Sequence, residues 1–434
     1  MKKIIILLAL AIGPAVSIAQ NNDKLVKTGW NFGALPTITF DSDLGFQYGA
    51  LVNLYNYGDG ARYPEYDQSL YFEVSRFTKG SGINRFYFDS DHLIPGLQTT
   101  ADISYLSDQA YDFYGFNGYD AIINNAWLEK NNPNRLYYKY GRKMFRFKVD
   151  LLGKLAGDNF HWITGINFLD FKISPVDIQK LNKGKEESEL LSTGPGLFEK
   201  YRDWGVIPAK EADGGFIPTF KAGLVYDSRD NRPNPMKGLW AEAVLVASPE
   251  ILGAGQSFAK LSLTYRQYFT IIPKDLSFAY RLAYQTTIAG HAPFYYQSQV
   301  ITSVLTGALS EGLGGAKTLR GIRRNRVVGD GFFFGNAELR WKFARFRFIN
   351  NNFYLGLNGF VDAGKVTKKV DVKSIVSASQ PDYFSPEAEK LHTSVGAGLR
   401  IAMNENFIIS IDYGMATDVQ DGDSGMYIGL NYLF

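Results

Sequence analysis

The sequence predicts an all-β transmembrane antiparallel β-barrel of 16 strands, with one outer loop folded back into its lumen. Three observations carry that reading. Polar or glycine residues alternate with apolar ones at period two, without helical stripes. The chain holds 27 Tyr, 32 Phe and 44 Gly but four His and no Cys. Its start reads as an export leader: Lys2 and Lys3 precede an apolar run from Ile4 to Val16, then Ser17-Ile18-Ala19. Residues 1–19 are therefore expected to be a secretory signal peptide, residues 20–29 a short periplasmic segment and residues 30–434 the barrel. No later stretch approaches the ~20 uninterrupted apolar residues of a membrane-spanning helix. Without cysteine there is neither a disulfide framework nor a thiol ligand. Loss of Lys2 and Lys3 leaves 44 basic against 43 acidic residues, and this balance gives no electrostatic case for nucleic acid.

Taken in order, the strands are expected near residues 30–41, 44–57, 69–78, 84–92, 97–106, 135–149, 158–173, 217–228, 238–249, 257–272, 276–290, 330–345, 352–364, 391–402, 406–417 and 425–434. An even number places both termini at the periplasmic end. Short turns (Pro273-Lys274-Asp275, Ile349-Asn350-Asn351, Asn404-Glu405) then share that end, and the long connections near 107–134, 174–216, 291–329 and 365–390 share the other. The alternation is clearest near the C-terminus. Val395, Ala397, Leu399 and Ile401 oppose Ser394, Gly396, Gly398 and Arg400. Phe407, Ile409, Ile411 and Tyr413 oppose Ser410, Asp412 and Gly414. In the last segment Met426, Ile428, Leu430, Tyr432 and Phe434 fall on one face. Such a pattern suits a wall with lipid outside, because only a closed sheet pairs all its backbone groups in hydrocarbon. A terminal Phe with aromatics at alternate positions resembles the assembly signal of bacterial outer-membrane barrels, a role that would fall to Tyr432 and Phe434.

Parity also brings charges together inside. With Leu339, Trp341 and Phe343 facing lipid, Asn336, Glu338 and Arg340 face the lumen. With Leu355, Leu357 and Val361 outward, Tyr354, Asn358, Phe360 and Asp362 face in. Two carboxylates thus share one cavity just after a connection carrying Arg320, Arg323, Arg324 and Arg326. A bidentate guanidinium would offset the cost of burying them and pin the loop inside. Gly312 to Thr318 superficially looks like a phosphate-binding loop, but Ala316 stands where glycine is required and no helix pattern follows.

Leu319-Arg320-Gly321-Ile322 resembles the arginine-glycine motif of the sixth outer loop in the BamA/TamA surface-antigen superfamily. Gly335-Asn-Ala-Glu338 and Phe360-Val-Asp362-Ala-Gly364 are similar to that family's twelfth- and thirteenth-strand motifs, and Tyr226-Asp227-Ser-Arg229-Asp230-Asn231 to a turn common among its members. The resemblance implies a loop lock in which Arg320, presented by Gly321, pairs with Glu338 and Asp362. It also implies a bacterial outer-membrane location and a lateral seam between the first and last strands. Pro36 removes a ladder hydrogen bond in the first strand, and Gly425 and Gly429 weaken the last.

Other candidates carry less. Asp418 to Asp423 is carboxylate-dense, but its spacing misses the calcium-loop pattern and suits a polar outer turn. Tyr111 to Tyr119 reads as an interfacial aromatic patch. His92, His161, His291 and His392 have no metal-ligand spacing and read as isolated polar positions. No cofactor site is expected, and no nucleophile, base and orienter can be assembled, which argues against an enzyme. The function implied by the resemblance is help with insertion or translocation of proteins or other envelope components. A member without POTRA domains would need a separate periplasmic or outer-membrane protein partner as well as outer membrane lipid. A passive or gated pore, and a structural subunit or surface antigen of a larger complex, are the alternatives.

Overall fold

The computed structural model describes residues 26–62, 66–231, 234–253, 255–303, 312–348, 351–372, 382–385, 387–403 and 407–434. The expected leader, most of the segment 20–29, the turn residues Ile349, Asn350, Asn404 and Glu405, and the side chain of Pro36 lie outside them.

Sixteen antiparallel strands close into one barrel in sequence order. They are β1 (Trp30–Asp41), β2 (Gly45–Asn56), β3 (Gln68–Phe77), β4 (Ser81–Ile94), β5 (Leu97–Asp112), β6 (Lys139–Ala156), β7 (Phe160–Ser174), β8 (Gly214–Asp227), β9 (Gly238–Ser248), β10 (Phe258–Ile272), β11 (Leu276–Gly290), β12 (Gly331–Phe348), β13 (Asn351–Lys368), β14 (His392–Met403), β15 (Phe407–Ala416) and β16 (Ser424–Leu430). The alternation works as the pleat requires. Leu339, Trp341 and Phe343 of β12 are exposed on the outer wall, while Asn336, Glu338 and Arg340 are buried inside. All four long connections, 113–138, 175–213, 291–330 and 369–391, leave from the end opposite the termini.

Several strand boundaries depart from expectation by three to seven residues, β6 for example running on to Ala156 rather than 149, and those at the outer ends of β5 and β6 and at the tail have visible physical reasons. β5 runs on to Asp112 because the lumenal charges at its outer end pair across the ladder: Arg142 bonds Asp108 at 2.7 and 3.0 Å, and Lys139 bonds Asp112. β6 begins only at Lys139, because the backbone N–H groups of Arg135 and Tyr137 turn back onto Asn132 and Asn134. β16 stops at Leu430. Asn431 adopts a left-handed φ of 66° and turns the tail inward, so Tyr432 and Phe434 are buried in the lumen rather than continuing the face of Met426 and Leu430. Tyr432 packs with Tyr354, Ala402 and Ile408, and Phe434 with Tyr268 and Ala279.

The outer connections interlock into an aromatic cap. Phe113 makes edge contacts with Phe116, Phe198, Tyr201 and Phe294 at centroid distances of 5.3–6.4 Å. Two short helices, α1 (Ile178–Asn182) and α2 (Leu197–Asp203), lie in the connection after β7, and α3 (Phe294–Gln297) in that after β11. Residues 111–119 are thus corrected from an interfacial patch to a buried core: Tyr111, Phe113, Tyr114, Phe116 and Tyr119 are all at least nine-tenths buried. Asn117 donates to the carbonyl of Val370 at 2.8 Å and accepts from the Val370 N–H at 2.8 Å. These residues follow β5 and β13, eight strands apart in a ring of sixteen, so the contact crosses the mouth.

Candidate functional site

The loop between β11 and β12 descends inside the barrel and is gripped at its tip. Arg320 lies against Asp362 in a bidentate arrangement, Nε to Oδ2 at 2.9 Å and Nη2 to Oδ1 at 3.0 Å, and its own backbone N–H donates to Oδ2 at 3.0 Å. Its Nη1 lies 2.6 Å from Glu338 Oε1. Glu338 shares its other oxygen with Arg340 at 2.8 Å, and Arg340 donates to the Phe434 carbonyl at 2.9 Å. One chain of charge therefore ties loop tip, β12, β13 and the inward tail together. The Arg320 guanidinium also sits 3.5 Å above the Phe360 ring. All three ionic partners are essentially without solvent contact, so the pairing replaces hydration with fixed hydrogen bonds.

What lets the tip approach so closely is a row of glycines. Phe360 of β13 pairs with Gly396 of β14, Gly396 with Gly414 of β15, and Gly414 with Gly425 of β16. The Phe360 ring occupies the space where a Gly396 side chain would be, at 2.3 Å from an ideal Cβ. Gly321, with φ +90°, lies backbone to backbone on Gly414, where an added Cβ would stand 2.5 Å from the Gly414 carbonyl carbon. Its N–H donates to the Tyr427 hydroxyl at 3.2 Å, and the Tyr427 ring fills the place of a Gly425 side chain. Gly425 thus makes room for a tyrosine, beyond any weakening of the strand, whereas a Cβ at Gly429 would make only an ordinary contact, 3.7 Å from Ser410 Oγ. Gly396 and Gly414 were legible as lumenal positions, but their alignment required the strand register.

The remaining arginines of the loop hold the cap. Arg324 Nε donates to Asp112 at 2.9 Å. Arg326 donates to the carbonyls of Gly118 at 2.7 Å and Gln420 at 2.8 Å, and Arg323 donates to Asn125 at 3.1 Å. Nor is His392 isolated. Its ring stacks on Tyr119 at 3.9 Å, with Nδ1 2.6 Å from Asp421 and Nε2 3.1 Å from Glu389. Asp421, from the acidic turn 418–423, is thereby drawn into the cap, and no group of metal-ligating side chains forms among the described residues. His291 and Glu211 pair in the outer connections at 3.2 Å. The hydrogen bond to Glu211 raises the His291 imidazole above its usual value despite partial burial. Burial opposes ionisation of Glu211, but hydrogen bonds from His291, Gln256 and the Phe294 N–H outweigh it and lower its pKa.

The expected seam residues lie on the two strands that close the barrel, β1 and β16. This joint has two residue pairs among the described residues, Phe40 with Ile428 and Asp41 with Tyr427, against seven at the next shortest joint, β15 with β16. Ser42 extends it at the outer end, its hydroxyl accepting from the Met426 N–H at 2.7 Å. Pro36 pairs with Ala50 on the β2 side, and its other edge belongs to the stretch Trp30–Thr39 for which no β16 pairing exists among the described residues.

A family model, the Omp85 superfamily domain, matches residues 68–434. Among solved structures, the chain is similar to BamA from Haemophilus ducreyi lacking POTRA domains 1-3, with TM-score 0.55 and 15% identity over 93% of this chain and 70% of that one. It is also similar to CdiB from Escherichia coli, with TM-score 0.57 and 10% identity over 94% of this chain and 64% of that one. At these identities the likeness is one of fold. A search of curated proteins finds no match.

Proposed function

Because the chain belongs to the Omp85 superfamily, a family of outer-membrane barrels, we propose that it assists insertion or translocation of proteins or other envelope components at the β1–β16 seam, together with a separate periplasmic or outer-membrane partner. The observation that carries this reading is the two-pair joint. An edge with unpaired backbone groups in a membrane is costly unless something pairs with it, and a short joint opens for far less than a full ladder. A lumen filled by the Arg320 loop and roofed by the cap suits this role better than passive diffusion.

The test is a reversible lock. Paired residues of antiparallel strands hold their Cα atoms about 4.5–5.5 Å apart, within disulfide reach. The absence of native cysteine leaves the double variant Phe40→Cys, Ile428→Cys no competing thiol. In cells relying on that variant, oxidation is expected to stop envelope assembly and a reductant to restore it. Full function with the seam quantitatively cross-linked would sink the proposal. Affinity purification from native membranes tests the partner, and recovery of the barrel alone counts against one.

A further inference from the structure

A basic pocket on the outer wall lies apart from both lumen and seam. At the outer ends of β5, β6 and β7 a cavity of about 400 Å³ is lined by Ser107, Gly141, Lys143, Lys172, Ser174 and Lys180, among others. Parity puts its floor on the lipid side: Lys143 and Lys172 are exposed, whereas Arg142 and Ile173 beside them are buried inward. α1 and its approach form the roof, contributing Asp177 and Lys180.

Its charge is not spent within the protein. Lys143 and Lys172 are direct cross-strand partners, an arrangement in which like charges repel. Neither lysine, nor Lys180, has a side-chain hydrogen bond or ion pair among the described residues, and Asp170, one pair lower on the same face, bridges to neither. Arg142 and Asp108 in the lining satisfy each other at 2.7 Å, and Asp177 accepts from the Lys180 backbone N–H at 3.0 Å. Gly141 keeps the floor open, since a Cβ there would stand 2.7 Å from Ser174 Oγ.

Depth identifies the ligand. Just below the lysines on this outer wall, Tyr105, Phe145 and Phe216 are exposed, and Phe147, Phe168 and Phe216 stack in a row across β6, β7 and β8 at 6.1 and 6.0 Å. An aromatic band marks the boundary between acyl chains and headgroups. The lysines therefore sit at headgroup depth on the side where the long loops emerge. We propose that this pocket binds the phosphate of an outer-leaflet glycolipid, whose acyl chains lie along the aromatic row while Lys143, Lys172 and Lys180 surround the headgroup. Apolar contact below and cationic contact above select an amphiphile over a soluble anion.

The full barrel in phosphatidylcholine nanodiscs would be titrated with bisphosphorylated lipid A, with lipid A stripped of its phosphates, and with inorganic phosphate, binding being read by native mass spectrometry. Bisphosphorylated lipid A is expected to bind best. The double variant Lys143→Gln, Lys172→Gln should weaken it by roughly ten-fold or more, given the attraction of each lysine to an anionic headgroup. Gly141→Val, which fills the floor without changing charge, should weaken it too, and Lys154→Gln at the opposite end should not. Heat-shifted electrophoretic migration would establish that each variant is folded. Equal binding of the dephosphorylated lipid, undiminished binding by the folded double variant, or inorganic phosphate binding as tightly as the lipid would each overturn the proposal.

Discussion

Arg320 satisfies two carboxylates and covers an aromatic ring, so each partner's cost of burial depends on the others. Removing one member of such a buried pair strands the remaining charge and costs about 3–5 kcal/mol. Glu338→Gln and Asp362→Asn are each expected to release the loop tip, seen as new protease cuts between residues 312 and 330. A loop equally resistant in both variants would exclude the lock. Arg320→Lys should also fail, because an ammonium cannot make the bidentate contact with Asp362. The His291–Glu211 pair offers a pH readout. The raised imidazole contributes fully below its ordinary value of 6.5 and ceases to contribute as pH rises through its folded value. The lowered carboxyl contributes above its ordinary 4.5 and loses that contribution as pH falls through its folded value. Protection of the amides around residues 208–213, corrected for the base-catalysed intrinsic exchange rate, should therefore be greatest between these limits and fall on the alkaline side. The His291→Asn variant should show no such alkaline change.

At the scale of elements, legibility followed the strictness of alternation. β14 and β15 could be read almost to the residue, because an outer face of Val395, Leu399, Ile411 and Tyr413 opposes mostly small or charged residues. The outer end of β5 could not, since Asp108 and Asp112 resemble loop composition until seen paired with Arg142 and Lys139 across the ladder. The tail failed for a local reason: one left-handed residue reverses the face of everything after it, and period two carries no trace of that. Asn tolerates this conformation and β-branched residues do not. Asn431→Val should therefore lower barrel stability by roughly 1–2 kcal/mol, with Asn431→Gly near neutral, as judged by the temperature of the electrophoretic shift.

Across the whole molecule, the loop and cap occupy the space that a pore would need. Arg324 and Arg326 join the descending loop to the connections after β5 and β15, making plug and roof one body. The wild-type barrel is expected to pass little current in planar bilayers. If Arg320→Ala opens a large steady conductance while envelope assembly continues unimpaired, the loop is a plug and the insertion reading weakens. The pairing of Arg320 with Glu338 and Asp362 could be anticipated from parity together with the family resemblance. The roles of Arg323, Arg324 and Arg326 could not, because their partners lie 94 to 212 residues away, at the outer end of β5 and in connections whose aromatic residues follow no period.

The glycine row beneath the loop tip has a consequence for how this protein can vary. Where Gly321 meets Gly414 and Phe360 lies over Gly396, the fit is made by missing atoms, and any substitution adds some. Mutation can only degrade this contact, whereas lipid-facing neighbours such as Tyr413 and Ile411 are exchangeable for any residue of similar hydrophobicity. A saturation library scored for surviving function should therefore show three isolated columns with no tolerated alternative, at Gly321 in the loop and at Gly396 and Gly414 amid permissive outer positions of β14 and β15.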